Sequence, residues 1–233
     1  MPTFQYHPEI ISHFSDLRSA IILVYAVTNA PTSPSLGELY RAEQVSTIGR
    51  IAGAPLSEII TLAAWRKTFR SFGVDPTKYR SAPEALLRRL TKKGDIPSIN
   101  TIVDITNLVS IRYALPVASF DTRSIQGPVS VHFADGSERF KPLGSSLIEF
   151  PEKGEVIFSD ETDMVVARRW CWRQSDESAA RSDTRNLIIT IEAQHETSLD
   201  EVQAARRDIL DLLSEYAGGT YKTSLLGPDN LYI

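Results

Sequence analysis

Pro97-Ser-Ile-Asn100-Thr-Ile-Val-Asp104-Ile-Thr106-Asn107 carries two patterns at once. Ile102, Ile105, Leu108 and Val109 recur at helical spacing, which predicts a helix over residues 98–113 with that stripe buried. Asn100, Asp104 and Asn107 fall at i, i+4 and i+7, so they share a second face, with Thr106 offset from them. Such a polar row is either a solvated face bonding to nearby backbone or a wall aimed into a pocket. The residue types alone leave both readings open.

On the N-terminal side the texture is mainly helical. Ser35-Leu-Gly-Glu38 is a capping-box pattern opening a helix to about residue 51, and Pro55 precedes another over residues 57–72. Ser81-Ala-Pro-Glu84 repeats the signal ahead of a helix to residue 93, stopped by Gly94. Residues 4–10 and 20–27 read as short strands, the second buried. On the C-terminal side, beyond Pro116, the period changes. Val129-Ser-Val-His-Phe133 alternates, Ala134-Asp-Gly-Ser137 reads as a hairpin turn, and residues 138–140 as the returning strand. Residues 155–159, 164–172 and 186–193 are further strands. A third capping box, Ser198-Leu-Asp-Glu201, opens a last helix ended by Gly218-Gly219.

Strands that come in a run favour α+β over a doubly wound sheet. The expected architecture is one domain over residues 1–233: a helical part to residue 68, a core over residues 69–193 and a C-terminal helix over residues 198–217. The chain has 233 residues, enough for one substantial core. The hydrophobic fraction of 42% and charged fraction of 23% are those of an ordinary globular domain.

Several function classes drop out. The four histidines, His7, His13, His132 and His195, do not cluster with each other or with the single cysteine, Cys171, so no metal or other cofactor is expected. Walker A, GxGxxG and GxSxG sequences are absent. The net charge of −4 argues against a general nucleic-acid binder, and no DNA partner is expected. The longest apolar run, Ala20 to Val27, is too short to cross a bilayer, and Met1 to His7 lacks the features of a signal peptide. With one cysteine and no possible intrachain disulfide, a cytoplasmic location is expected.

Several segments match a known family in order. Val103-Asp-Ile-Thr-Asn-Leu-Val, then Leu115-Pro116, then Ala118-Ser-Phe-Asp121 resembles the "VDVTNYV…QPLHAFD" run of the B3/B4 domain, the editing module in the β chain of bacterial phenylalanyl-tRNA synthetase. Gly154-Glu-Val-Ile-Phe-Ser-Asp160 resembles its strand ending "VIAD", and Asp183-Thr-Arg-Asn-Leu-Ile-Ile-Thr-Ile-Glu-Ala193 its "TTNVLLESA" strand. Lys78-Tyr-Arg-Ser81, Glu84-Ala-Leu86 and Arg168-Arg-Trp-Cys-Trp-Arg173 resemble segments of free-standing members. The resemblance runs from about Phe69 to Ala193. It implies a B3/B4 fold, with layered β-sheets flanked by helices.

The resemblance also implies a function: quality control in translation, by trans-editing hydrolysis of a mischarged aminoacyl-tRNA. The alternative is a module that binds an amino acid, a nucleotide or tRNA without turnover. By family analogy Thr106 and Asn107 line the pocket and the acid of the last core strand contacts substrate. That acid is Glu192, or Thr190 takes its place under strict spacing. The candidate pocket also includes Asn100, Asp104, Ala118, Trp170, Cys171 and Trp172. Ala118 stands where the family has histidine. The small residues that make room for a substrate ring fall near Trp170-Cys171. Lys78, Arg80, Arg88, Arg89, Arg169 and Arg173 are the candidate contacts to the tRNA backbone or 3′ end. Trp170 and Trp172 are expected on one strand face and Arg169 and Arg173 on the other. Cys171 reads as a structural thiol.

Overall fold

The computed structural model describes residues 3–233; Met1 and Pro2, part of the N-terminal segment read above, lie outside the described residues. The chain runs β1 (Phe4–Tyr6), α1 (Pro8–His13), β2 (Arg18–Tyr25), α2 (Pro34–Ile51), α3 (Ile60–Ser71), α4 (Ala82–Lys93), α5 (Thr101–Tyr113), β3 (Val117–Asp121), β4 (Val129–Phe133), β5 (Val156–Ser159), β6 (Val165–Arg168), β7 (Arg173–Gln174), β8 (Leu187–Ala193), α6 (Ser198–Tyr216) and β9 (Thr220–Leu226). Two sheets result. One has the order β1-β4-β5-β6-β7 and the other β3-β8-β2-β9. Pairing is antiparallel except between β1 and β4.

The four-stranded sheet is the middle layer, which explains its composition. Ala20, Ile22 and Val24 of β2, with Leu187, Ile189 and Ile191 of β8, pack against the helices. Ile21, Leu23 and Ile188 point the other way, into a core shared with Phe4, Tyr6, Phe158 and Trp170. A strand buried on both faces reads as an unbroken apolar run rather than an alternation, and Ala20 to Val24 does. β8 breaks that rule at Thr190 and Glu192, the two polar residues on its inter-sheet face.

Several readings of the sequence need correction. None of the three capping boxes forms: Ser33 rather than Ser35 caps α2, Ser81 makes no side-chain cap bond at the start of α4, and Thr197 rather than Ser198 precedes α6. Residues 7–10 are not strand: Pro8 opens α1, with His7 as its cap, accepting from the Glu9 amide. Residues 138–140 do not return along β4. The Glu138 carboxylate accepts from the amides of Asp135 and Gly136, closing a local turn, and β4 pairs with β5 instead. The strand expected over residues 164–172 ends at Arg168, because Arg169 and Trp170 take left-handed backbone at φ 45° and 58°. The tail beyond Gly219 is a further strand, β9, hydrogen-bonded to β2 along seven residue pairs. Residues 1–68 therefore do more than supply helices, since β2 is the central strand to which β8 and β9 both pair.

Candidate functional site

A cavity of about 170 Å³ opens between the two sheets at the end of β8. Thr106 and Asn107 line it from α5, Ala118 from β3, and Thr190 and Glu192 from β8. Trp170, Cys171 and Trp172 close it from the turn after β6, with Arg173 at its edge. The register explains the grouping: Ala118 is the cross-strand partner of Thr190, and Glu192 lies two residues further along the same face.

Glu192 is buried at 1% exposure. Tyr6 Oη donates to its Oε1 at 2.6 Å and Trp170 Nε1 donates to the same oxygen at 2.9 Å. Burial in this apolar setting raises its carboxyl from 4.5 to about 7; the two hydrogen bonds oppose the rise but do not cancel it. The group therefore changes charge near neutrality. Cys171 sits beside it, and burial together with the charge of Glu192 pushes the thiol well above its usual range. A thiol held protonated is not a nucleophile at neutral pH. Thr106 donates to the carbonyls of Ile102 and Val103, so its hydroxyl proton is engaged by the helix.

The turn that shapes the cavity is anchored by ions. Arg168 forms a fork onto Glu155 at 2.8 and 2.9 Å, both groups buried, and also reaches Glu149 at 2.9 Å. Burial, the largest single influence, raises Glu155, but the Arg168 hydrogen bonds, the Glu152 amide and the charges of Arg168 and Arg169 together outweigh it and hold the carboxylate below its usual range. Glu155 also accepts from the Arg169 amide, and the Trp170 amide donates to the Val156 carbonyl at 2.7 Å. These bonds hold two consecutive left-handed residues in place. As a result Trp170 and Trp172 do not share a face. Trp170 is fully buried against Phe14, Trp65 and Phe72, while Trp172 stays partly exposed at the cavity edge.

Two candidate pocket residues lie elsewhere. Asn100 caps α5: its side chain accepts from the Val103 amide at 3.0 Å and donates to the Ala180 carbonyl. Asp104 is fully buried and accepts from Thr32 at 2.6 Å, from the Ile99 amide at 2.9 Å and from Ser98. Neither lines the cavity. The polar row on α5 is thus divided, with its first two members bonding to backbone groups and hydroxyls and Asn107 at the pocket wall. Other motif residues are framework too. Asp121 bonds Arg123 and Thr184, joining the end of β3 to the start of β8. Asp160 ties the amides of Gln126 and Thr162.

The basic residues separate in the same way. Arg169 is 5% exposed, pairs with Glu152 and Glu155, and lies 3.9 Å from the Tyr79 ring centroid; it is not presented to a partner, which corrects the outer-face expectation. Arg89 pairs with Asp95, and Arg80 stands 3.9 Å from Glu84, which Arg66 holds at 2.7 Å. Lys78, Arg88 and Arg173 are exposed. Among the described residues no group of three or more His, Cys, Asp or Glu could hold a metal ion, and no helix is long and apolar enough to cross a membrane. The sequence reading missed Tyr6, 186 positions from the acid it contacts. It also missed Gln174, whose amide ties β7 to the Ser119 carbonyl at the cavity wall. Neither carries a sequence signal beyond its residue type.

These features define a two-sheet α+β domain whose inner strand β8 carries a buried, ionisable acid into a small cavity. The family model described as the B3/4 domain matches residues 64–218, and the chain belongs to that family. It is similar to phenylalanine–tRNA ligase beta subunits: 32% identical to that of Aquifex aeolicus over 101 residues, which is 43% of this chain and 13% of the relative. Similarity to the beta subunit of Trichormus variabilis is 25% over 224 residues, covering 84% of this chain and 26% of the relative. An N-terminal fragment of the phenylalanyl-tRNA synthetase beta-subunit from Pyrococcus horikoshii aligns over 94% of this chain and 50% of that one, with a TM-score of 0.47 and 14% identity. The chain spans about a quarter or less of the length of these curated relatives. The family match begins at residue 64, so Tyr6 and β2 lie outside it.

Proposed function

We propose that the cavity holds the acyl part of an aminoacyl ester and that the protein acts on aminoacyl-tRNA, removing a wrongly attached amino acid in trans. The observation that carries this reading is the meeting of Asn107, Thr190 and the ionisable Glu192 in one cavity, in a chain of the B3/4 family similar to tRNA ligase subunits. In the reaction, water adds to the ester carbonyl carbon, the bond from that carbon to the ribose oxygen breaks, and the ribose oxygen takes up a proton. The ester is already activated, so positioning and stabilisation of the oxyanion supply most of what is needed. The Asn107 amide offers an N–H to the carbonyl. Ionised Glu192 receives the α-ammonium, or takes a proton from the attacking water. A tRNA partner would meet the exposed Lys78, Arg88 and Arg173 outside the cavity.

One observation favours a second reading, a binding module without turnover. The Thr106 hydroxyl is engaged by its own helix, and Ala118 provides no imidazole at the cavity wall. A panel of tRNAs charged with matched, mismatched and non-protein amino acids separates the two. Faster loss of one amino acid with the protein than without it supports hydrolysis. Protection of the ester, or binding with an unchanged half-life, supports the binding module.

A further inference from the structure

A second cleft, of about 490 Å³, lies behind the aromatic wall that closes the first cavity. Glu9, His13 and Phe14 line it from α1 and the residue after it, Phe72 from just past the end of α3, and Phe133 and Lys153 from β4 and the turn before β5. Its floor is aromatic. The ring centroid of Phe14 lies 6.3 Å from that of Phe133 and 6.4 Å from that of Phe72, and His13 meets Phe133 edge to face at 5.3 Å. His13 Nδ1 donates to the Glu9 carbonyl at 2.8 Å, which fixes the imidazole. The same floor backs the first cavity, because Phe14 packs edge to face on Trp170 at 4.9 Å and Trp170 donates to Glu192. Two opposite charges stand at the mouth. Glu9 and Lys153 are exposed, and among the described residues neither forms an ion pair, with each other or with any third group. Glu9, His13 and Phe14 all precede residue 64, where the family match begins, so the cleft needs the chain's own N-terminal segment.

We infer that this cleft binds a free amino acid with an aromatic side chain. Its volume and its apolar lining with a few polar groups suit a small molecule held in one orientation. Opposite charges that share a cleft without neutralising each other match a zwitterion: Lys153 receives the α-carboxylate and Glu9 the α-ammonium. The ligand's ring lies against Phe14, Phe72 and Phe133, where edge-to-face and offset contacts add to the burial of apolar area. A ligand with a single charge leaves the other side chain without a partner, and one without a ring leaves the aromatic floor uncovered. The site is separate from the cavity at the end of β8 and does not depend on hydrolysis there. Its occupant packs on Phe14, the ring that backs Trp170.

The test is a titration of the full chain with L-phenylalanine, L-tyrosine and L-tryptophan, followed by two-dimensional NMR. Binding is saturable and shifts the amide signals of Phe14, Phe133 and Ala134. Phenethylamine, which lacks the carboxylate, and hydrocinnamate, which lacks the ammonium, bind about tenfold more weakly than phenylalanine. Lys153→Met and Glu9→Gln, at exposed positions where the fold tolerates change, each lower the affinity for the amino acid about tenfold. Asn107→Ala leaves that affinity unchanged. An absence of saturable binding for all three amino acids overturns the inference, as does wild-type affinity in both charge variants. So does binding that is lost in Asn107→Ala and kept in Lys153→Met, which puts the amino acid in the first cavity. Binding that depends on Lys153 and Glu9 upholds the site even in a protein without deacylase activity. Deacylase activity in a protein that binds no free amino acid removes the site and leaves the hydrolytic reading standing.

Discussion

Glu192→Gln isolates the electrostatics of the cavity. The buried carboxyl moves from 4.5 to about 7 in the folded chain, chiefly because burial penalises its charged form. Its folded value is raised, so its contribution to stability is fully present below about pH 4.5 and is lost as pH rises through about 7. The whole interval corresponds to about 3 kcal/mol, of which about 2 kcal/mol falls between pH 5 and 8. Carboxylates held below their usual range, such as Glu155 and Asp183, act in the opposite direction and only as pH falls through the acid range. The difference between wild type and variant from pH 5 to 8 therefore reports on Glu192, because the four histidines are common to both proteins. Glutamine keeps an oxygen for Tyr6 and Trp170 and removes the charge. Urea unfolding at several pH values is the assay, with slopes compared to establish equal exposure on unfolding. The variant should gain about 2 kcal/mol relative to wild type between pH 5 and pH 8. Parallel stability profiles for the two proteins would refute the reasoning.

Other outcomes follow from the same structure. Arg168→Met leaves Glu155 buried without its fork and should cost about 3 kcal/mol or more, whereas Arg173→Met, at an exposed site, should change stability by less than about 0.5 kcal/mol; both are read by denaturant midpoint. Asn100→Ala removes the cap of α5 and should cost about 1 kcal/mol without altering ligand binding at the cavity, measured by titration. Trp170→Ala empties the aromatic layer and should cost about 3–5 kcal/mol, seen as a lowered melting temperature. Gly219→Ala places a Cβ 2.5 Å from the Tyr25 carbonyl oxygen, while Gly218→Ala meets nothing within 4 Å. The first should destabilise clearly more than the second in thermal unfolding, although both have positive φ.

Much of the fold was legible because its signals are local. Apolar periods and glycine stops placed α2 to α6 within a few residues although the three capping boxes do not form, and the apolar run of β2 announced a strand buried on both faces. The failures share a physical cause, which is that particular side-chain and strand partners, near or distant in sequence, decide the outcome. The Glu138 carboxylate turned an apparent hairpin into a closed local turn. The Arg168–Glu155 fork, 13 positions apart, stabilises a left-handed turn that strand periodicity would not suggest. β9 is a half-exposed edge strand with a mixed pattern, recognisable only beside β2. The candidate site was legible to a similar depth. Thr106, Asn107, Ala118, Trp170, Cys171, Thr190 and Glu192 share one cavity. Asn100 and Asp104 look the same in sequence as Asn107 but bond to backbone and hydroxyls that helical spacing cannot reveal. Tyr6, which fixes the acid, comes from a three-residue strand at the other end of the chain.

The central claim is that Glu192 and Asn107 act on an acyl group in this cavity, and deacylation under single-turnover conditions tests it most directly. With the amino acid and tRNA found by the panel, the rate is measured from pH 5.5 to 8.5 for wild type, Glu192→Gln and Asn107→Ala, each corrected for spontaneous hydrolysis. The account predicts that the advantage of wild type over Glu192→Gln grows as pH rises through about 7 and that Asn107→Ala is slow throughout. Full wild-type rates in both variants at every pH would contradict it.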